Sequence, residues 1–291
     1  MKNNQDLFFC TLESPFSFAK HSSIGVGGTA DVAYYPQTEE QLKRLVLHLH
    51  ATQVPYYTLG NLTNVLPADG EVKKAIIRTK YLRDIYATKD GLYVSAGTSV
   101  GAFLHTCKAL KIGGAEFLIG IPCTMGGALF MNAGASGEYL APFIQSVKVL
   151  YCDKEEVLPV SACEYSYKKS IFMQEDMIIL GATLSLAEMP TNEIEQRIGY
   201  FLQKRAHLPT GKSMGCVFKN PNGVAAGKLI EGTGLKGLRI GGAKISEKHA
   251  NFIVNEQNAT CADIKNLISV MKNAVFAQYK IRLEEEIRYI T

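Results

Sequence analysis

Glycine is the residue that most restricts what this chain can become. Seven of its 26 glycines fall within residues 113–137 and nine within residues 211–242, so two short windows hold 16 of them. A glycine in a helix interior costs roughly 1 kcal/mol against alanine. Runs this dense therefore do not build helices. They serve tight turns, or places where the backbone must come close to a partner. Each window, taken alone, fits a turn-rich strand connection as well as a ligand loop.

The segments around the windows carry ordinary periodic signals. Residues 31–35 (DVAYY) read as a strand, ended by Pro36 and Gln37. Thr38-Glu39-Glu40-Gln41 reads as a capping box, and Leu42, Leu45, Val46 and Leu49 then recur on one helical face. Residues 56–59 predict a strand that runs into Gly60-Asn61-Leu62-Thr63-Asn64. A small polar turn after a strand can present backbone N–H groups to phosphate, though Asn and Gly also make plain turns. Strands are expected at 74–78, 92–96, about 146–152 and 178–185. A helix is expected over 99–111, with Val100, Phe103, Leu104 and Cys107 inward. Pro190-Thr191 opens a helix with Ile194, Ile198, Phe201 and Leu202 on one face, and marks the candidate domain boundary. Thr260-Cys261-Ala262-Asp263 caps a last helix, with Ile264, Leu267, Ile268, Met271 and Val275 inward, and a short strand-like EIRYI follows. Mixed helix and strand in two lobes is the architecture these elements support.

Composition narrows the function classes. With 31 basic and 27 acidic residues the net charge is +4, and the cations are scattered. No Lys/Arg block suggests a nucleic-acid surface, while a mild positive balance suits an anionic small molecule. The seven cysteines, at 10, 107, 123, 152, 163, 216 and 261, are odd in number and contain no CxxC. Reduced thiols and a cytoplasmic home are the simple reading, without a metal site. No apolar run is long enough to span a bilayer. The first twenty residues contain no continuous apolar stretch of the kind a secretory signal needs. Nucleophile-elbow hydrolase, zincin, P-loop and Rossmann readings are set aside; neither HExxH nor GxxxxGK[ST] occurs.

Lys168 lies in EYSYKKSIF, Cys216 in SMGCVFKNP and Glu286 in LEEEIRY. Each has an everyday explanation: a solvated ammonium on an apolar stem, a small buried hydrophobe, a surface charge. His249, in SEKHANFIVN, fits the end of a turn as readily as a ligand contact.

A resemblance changes this weighting. IGVGGTADVAYYP (24–36), LGNLTNVL (59–66), EFLIGIPCTMGGALFMNAGASG (116–137), SYKKSIF (166–172), SMGCVFKNP (213–221), AGKLIEGTGLKGLRIGGAKISEKHANFIVN (226–255) and LEEEIR (283–288) occur in this order. From about residue 21 onward the chain resembles the UDP-N-acetylenolpyruvoylglucosamine reductase family, in its compact type without an extra loop in the substrate lobe. The resemblance implies an α+β fold: a two-part FAD-binding domain of the vanillyl-alcohol-oxidase/PCMH type over residues 1–190 (about 1–70 and 71–190), then an α+β substrate-binding domain over 191–291. It implies non-covalent FAD, held by Gly60, Asn61, Leu62, Thr63 and Asn64 and by Gly120, Ile121, Pro122, Thr124, Gly126 and Gly127. NADPH is the implied co-substrate and a UDP-sugar the implied substrate, bound by Tyr167, Arg205, Asn220, His249 and Arg288.

Three catalytic positions are implied as well. Lys168 stands where the family carries Arg, Cys216 where it carries Ser, and Glu286 where it carries Glu. Lys168 keeps the charge but not the two-pronged donor. Cys216 keeps a proton on a more weakly hydrogen-bonding acid. Leu62 and Cys123 replace usual glycines, and Glu285 a usual proline. The implied protein is a cytoplasmic monomer. Two rivals remain: a flavin oxidase of the same superfamily, and a flavin- or nucleotide-binding module that has lost its activity.

Overall fold

The computed structural model describes residues 10–151 and 153–291. Residues 1–9 and Cys152 lie outside the described residues. The chain divides into two compact units. One contains residues 32–61 and 74–206 with the preceding N-terminal segment to Glu13; the other contains Ser14–Asp31, Leu62–Lys73 and His207–Thr291. The linear division at about residue 190 and these units are different cuts. The helix Thr191–Arg205 lies in the first unit, and two early segments belong to the second.

In the first unit a four-stranded sheet runs in the order Thr11–Glu13, Ala33–Tyr35, Ala75–Arg78, Tyr56–Leu59, parallel except for its first pair. A five-stranded antiparallel sheet runs Lys154–Pro159, Ile144–Tyr151, Met177–Leu184, Gly91–Ser95, Ile85–Thr88. Its central strand, MIILGATL, is a continuous apolar run because both faces are covered. Ile178 and Leu180 join one core with Leu42, Leu45, Val46 and Leu49 of the helix Glu39–Ala51. Ile179, Ala182 and Leu184 join another, with Phe103 and Leu104 of the helix Val100–Leu110 and Leu129 of the helix Met125–Phe130. The parity changes because the register shifts between the pairs Lys148/Gly181 and Val149/Ile179. One extra residue there turns every later side chain to the opposite face.

The helix caps follow the sequence closely. Ser99 accepts from Ala102 N at 3.1 Å, and Thr38 from Gln41 N at 3.1 Å. The capping box at Thr38 is only half formed, since the Gln41 side chain accepts from Gln37 N instead. The helix Thr191–Arg205 departs from its expected face. Ile194 and Phe201 are buried, but Leu202 is 48% exposed. Its anchor is polar. Glu116, 1% exposed, accepts from Gly114 N at 2.9 Å and from Arg197 Nε at 2.8 Å, while Arg197 also reaches Glu138.

The second unit is built on an antiparallel sheet in the order Ser213–Cys216, Phe252–Asn255, Ala243–Ile245, Arg239–Ile240. The helix Cys261–Tyr279 packs Ile264, Leu267, Ile268, Met271 and Val275 into its core, which also takes Ile24, Val26 and Leu66 from the early segments. The capping box of Thr260 and Asp263 is complete. Asp69 adds to it, accepting from Cys261 N at 2.6 Å and Ala262 N at 3.1 Å. Arg288–Ile290 pairs in parallel with Val65–Pro67. No helix among the described residues is long and apolar enough to cross a membrane, and no cluster of metal-ligating side chains occurs among them.

Candidate active site

Gly60 and Asn61, the start of one loop expected to hold a flavin, meet the other, Gly120–Gly127, within the first unit. Gly60 ends the strand Tyr56–Leu59, and a Cβ there would lie 2.5 Å from Thr124 Oγ1. Only glycine permits that approach. Asn61 Nδ2 donates to Pro122 O at 3.1 Å, tying the turn to the loop 120–127. Thr124 caps the helix Met125–Phe130, accepting from Gly127 N at 3.3 Å. Met125 N and Gly126 N donate to Thr98 O and Ala96 O, both at 2.8 Å. A Cβ on Gly126 would lie 2.9 Å from that of Ala96.

Gly127 is different. A Cβ there would meet only ordinary contacts, at 3.6 Å or more, so the protein's own packing does not require glycine. A helical glycine without an internal cause fits close approach by a bound group. The partly exposed backbone at Gly60 and 120–123, walled by small residues, fits the pyrophosphate and ring edge of FAD.

Tyr167 and Lys168 are the two central residues of a tight turn, closed by Ser166 N to Lys169 O at 3.1 Å and Lys169 N to Ser166 O at 3.2 Å. Lys168 has φ +54°. The turn is pinned to the flavin loop's helix. Ser170 Oγ donates to Phe130 O at 2.7 Å, and Asn132 Nδ2 to Ser166 O at 3.0 Å. Burial pushes the Cys123 thiol up to about 12, while the charges of Lys168 and Arg205 pull the other way.

Arg205, expected at the substrate, also donates from Nη2 to Gly120 O at 3.1 Å in the first unit. Gly120 itself has φ +76°.

The segments that carry Cys216 and Glu286 pair through the backbone in the second unit. Glu286 N donates to Val217 O at 2.8 Å and Lys219 N to Glu284 O at 2.9 Å, with Phe218 bridging Glu285. Asn64, the end of the expected phosphate turn, joins them. Its Nδ2 donates to Glu286 O at 3.1 Å, and its O accepts from Arg288 N at 3.0 Å. Asn251 was not singled out from sequence, because its partner is 33 residues away. It is 2% exposed and holds the Cys216 segment from the other side, accepting from Phe218 N at 2.9 Å and donating to Phe218 O at 2.8 Å. Asn220 Oδ1 accepts from Ala226 N at 3.0 Å, so it starts the helix Ala226–Gly232. His249 Nδ1 accepts from Asn251 N at 3.3 Å. Burial first, then the neighbouring His207, hold its pKa below the usual histidine value, which matches a neutral ring accepting at Nδ1.

Two glycine patterns set aside in the sequence do occur by spacing. Gly211-Lys212-Ser213-Met214-Gly215 has the form GxSxG, but Ser213 opens an extended strand paired to Val254, not a strand-to-helix elbow. Gly232-Thr233-Gly234-Leu235-Lys236-Gly237 has the form GxGxxG, but it closes a helix instead of opening one.

Residues 203–290 match the family described as UDP-N-acetylenolpyruvoylglucosamine reductase, C-terminal domain, and residues 30–159 match an FAD binding domain. The protein named UDP-N-acetylenolpyruvoylglucosamine reductase from Clostridioides difficile is 36% identical over 302 residues, covering 99% of both chains. The chain belongs to the UDP-N-acetylenolpyruvoylglucosamine reductase family. The reductase of that name from Caldanaerobacter subterraneus is 35% identical over 93% of this chain and 91% of its own. The crystal structure of the Thermus caldophilus reductase superposes with a TM-score of 0.84 at 33% identity, over 97% of this chain and all of that one. A solvent-stable cholesterol oxidase shares the fold alone, with a TM-score of 0.50 at 16% identity over 65% of this chain. The reductase family thus carries the expected α+β, PCMH-type flavin fold.

Proposed function

We propose that the chain reduces the enolpyruvyl group of UDP-N-acetylglucosamine-enolpyruvate to UDP-N-acetylmuramate, in peptidoglycan precursor synthesis, with FAD as cofactor and NADPH as reductant. The observation that carries this reading is the likeness to reductases of that name over nearly the whole chain. The enzyme so read works in the cytoplasm as a monomer, on small molecules and not on nucleic acid.

FAD, when bound, relays a hydride from the nicotinamide to the enolpyruvyl double bond. Gly60, Asn61, Leu62, Thr63 and Asn64, with the loop from Gly120 to Gly127, hold it. Arg205 acts on this loop, fixing Gly120 through its carbonyl. Charge develops on the substrate carbon next to the carboxylate, and a cation nearby lowers that cost. Lys168 supplies it, as a point charge on a rigid turn. The same carbon must gain a proton. Cys216 gives it from Sγ, and Glu286 keeps the donor oriented. Tyr167, Arg205, Asn220, His249 and Arg288 bind the UDP-sugar.

The test separates the half-reactions. NADPH should bleach the flavin band of the purified holoprotein, and the enolpyruvyl UDP-sugar should restore it. Cys216→Ser should keep much of the restoring rate, whereas Cys216→Ala should lose on the order of a hundredfold. Both variants should be reduced by NADPH normally. Restoration by air as fast as by the sugar would mark an oxidase, and reduction without turnover an inactive module. Cys216→Ala restoring colour at the wild-type rate would remove the thiol from the mechanism.

A further inference from the structure

Residues 281–287, which carry Glu286, form no regular element apart from the Glu285 bridge. Leu283 and Ile287 are buried in the core, Glu284 and Arg288 are exposed, and Glu285 and Glu286 are both half-buried, with Glu285 midway between the two apolar anchors. In extended chain successive side chains point to opposite faces, so 283, 285 and 287 share one. Glu285 is the polar member of the anchored row, and the helix Cys261–Tyr279 satisfies it. Lys272 Nζ lies 2.7 Å from Glu285 Oε1, and Tyr289 OH donates to Oε2 at 2.6 Å. Lys265 Nζ sits 5.2 Å from the centre of the Tyr289 ring, steadying the second donor.

These residues border a cavity of about 490 Å³. The buried anchors Leu283 and Ile287 hold the segment to the core, and the directional bonds on Glu285 act on its open side. The backbone bonds of 284 and 286 fix its distance from 217–219. We propose that Lys272, Glu285 and Tyr289 form a positioning device that sets the orientation of Glu286 from the neighbouring position of the same extended segment. Burial would raise the Glu285 carboxyl, but the hydrogen bonds from Lys272 and Tyr289 outweigh it and hold the group below the usual carboxylate range, so it is an anion throughout the working pH range. The proposal rests on the reading that Glu286 serves the step in which substrate is reduced.

The experiment uses the holoprotein and follows flavin reduction by NADPH and flavin reoxidation by the enolpyruvyl UDP-sugar as separate rapid phases. Lys272→Met and Tyr289→Phe should each slow reoxidation on the order of tenfold, because small misplacements of reacting groups are costly. Reduction by NADPH should not change. Lys272→Arg, which keeps the ion pair, should restore the rate. Glu285→Pro should restore part of it in place of the network, since neither backbone bond flanking 285 uses its N–H and the ring stiffens the same segment. Adding Lys272→Met to Glu286→Gln should cost nothing further. A full additional loss in that double variant, or equal loss in both half-reactions, would overturn the device. Glu286→Gln slow with Lys272→Met at the wild-type rate overturns the device alone. Glu286→Gln at the wild-type rate overturns the catalytic reading beneath it, and the device with it.

Discussion

Lys168 occupies a backbone conformation that most side chains avoid. Its φ of +54° costs a non-glycine residue about 1 kcal/mol, and the two bonds between Ser166 and Lys169 hold it there. The surrounding turn overdetermines the strain, as at many functional sites. Lys168→Gly should therefore stabilise the protein by roughly 0.5 kcal/mol, after glycine's own entropy cost, while slowing flavin reoxidation by substrate. A urea midpoint that falls would show that the turn is unstrained or that the ammonium itself stabilises the fold. Leu62 presents the same conformation, φ +51°, with a buried side chain. That conformation suits the glycine that the resemblance leads one to expect there. Nothing in the sequence announces either backbone angle, because Lys and Leu are not turn residues. The legible part was the glycine at position 60.

At the scale of elements, helix starts were the most readable feature. Caps act over three residues, so Thr38, Ser99 and Thr260 disclose them locally. The face of the helix Thr191–Arg205 was less readable. Its partner is an ion pair 81 residues away in sequence, at Glu116, which no apolar period records. The junction of the two flavin loops shows what such remote contacts do. Gly60→Ala should push Thr124 out of its cap, lowering FAD affinity and melting temperature together. Removing the hydroxyl as well, in Gly60→Ala/Thr124→Ala, should recover part of the affinity, although the lost cap alone costs about 1 kcal/mol. Titration of the apoprotein with FAD checks both. Gly60→Ala binding as tightly as the parent would mean the close approach is dispensable.

At the scale of the molecule, the glycine windows and the periodic segments gave the mixed architecture, but not which stretches share a core. A linear reading divides a chain once. Here Ile24, Val26 and Leu66 fill the same core as the helix Cys261–Tyr279. Residues 207–291 alone should therefore fail to melt cooperatively, lacking these side chains and the strand that pairs with Arg288–Ile290. A dispersed amide spectrum from that fragment would contradict this. The same interleaving sets a schedule for synthesis. Asn64 emerges 222 residues before Glu286, the residue whose carbonyl it will hold. At about 5–20 residues per second that is a wait of roughly 11–44 s. For that time Leu66 and its neighbours are apolar chain without a destination, available to chaperones or to other nascent copies.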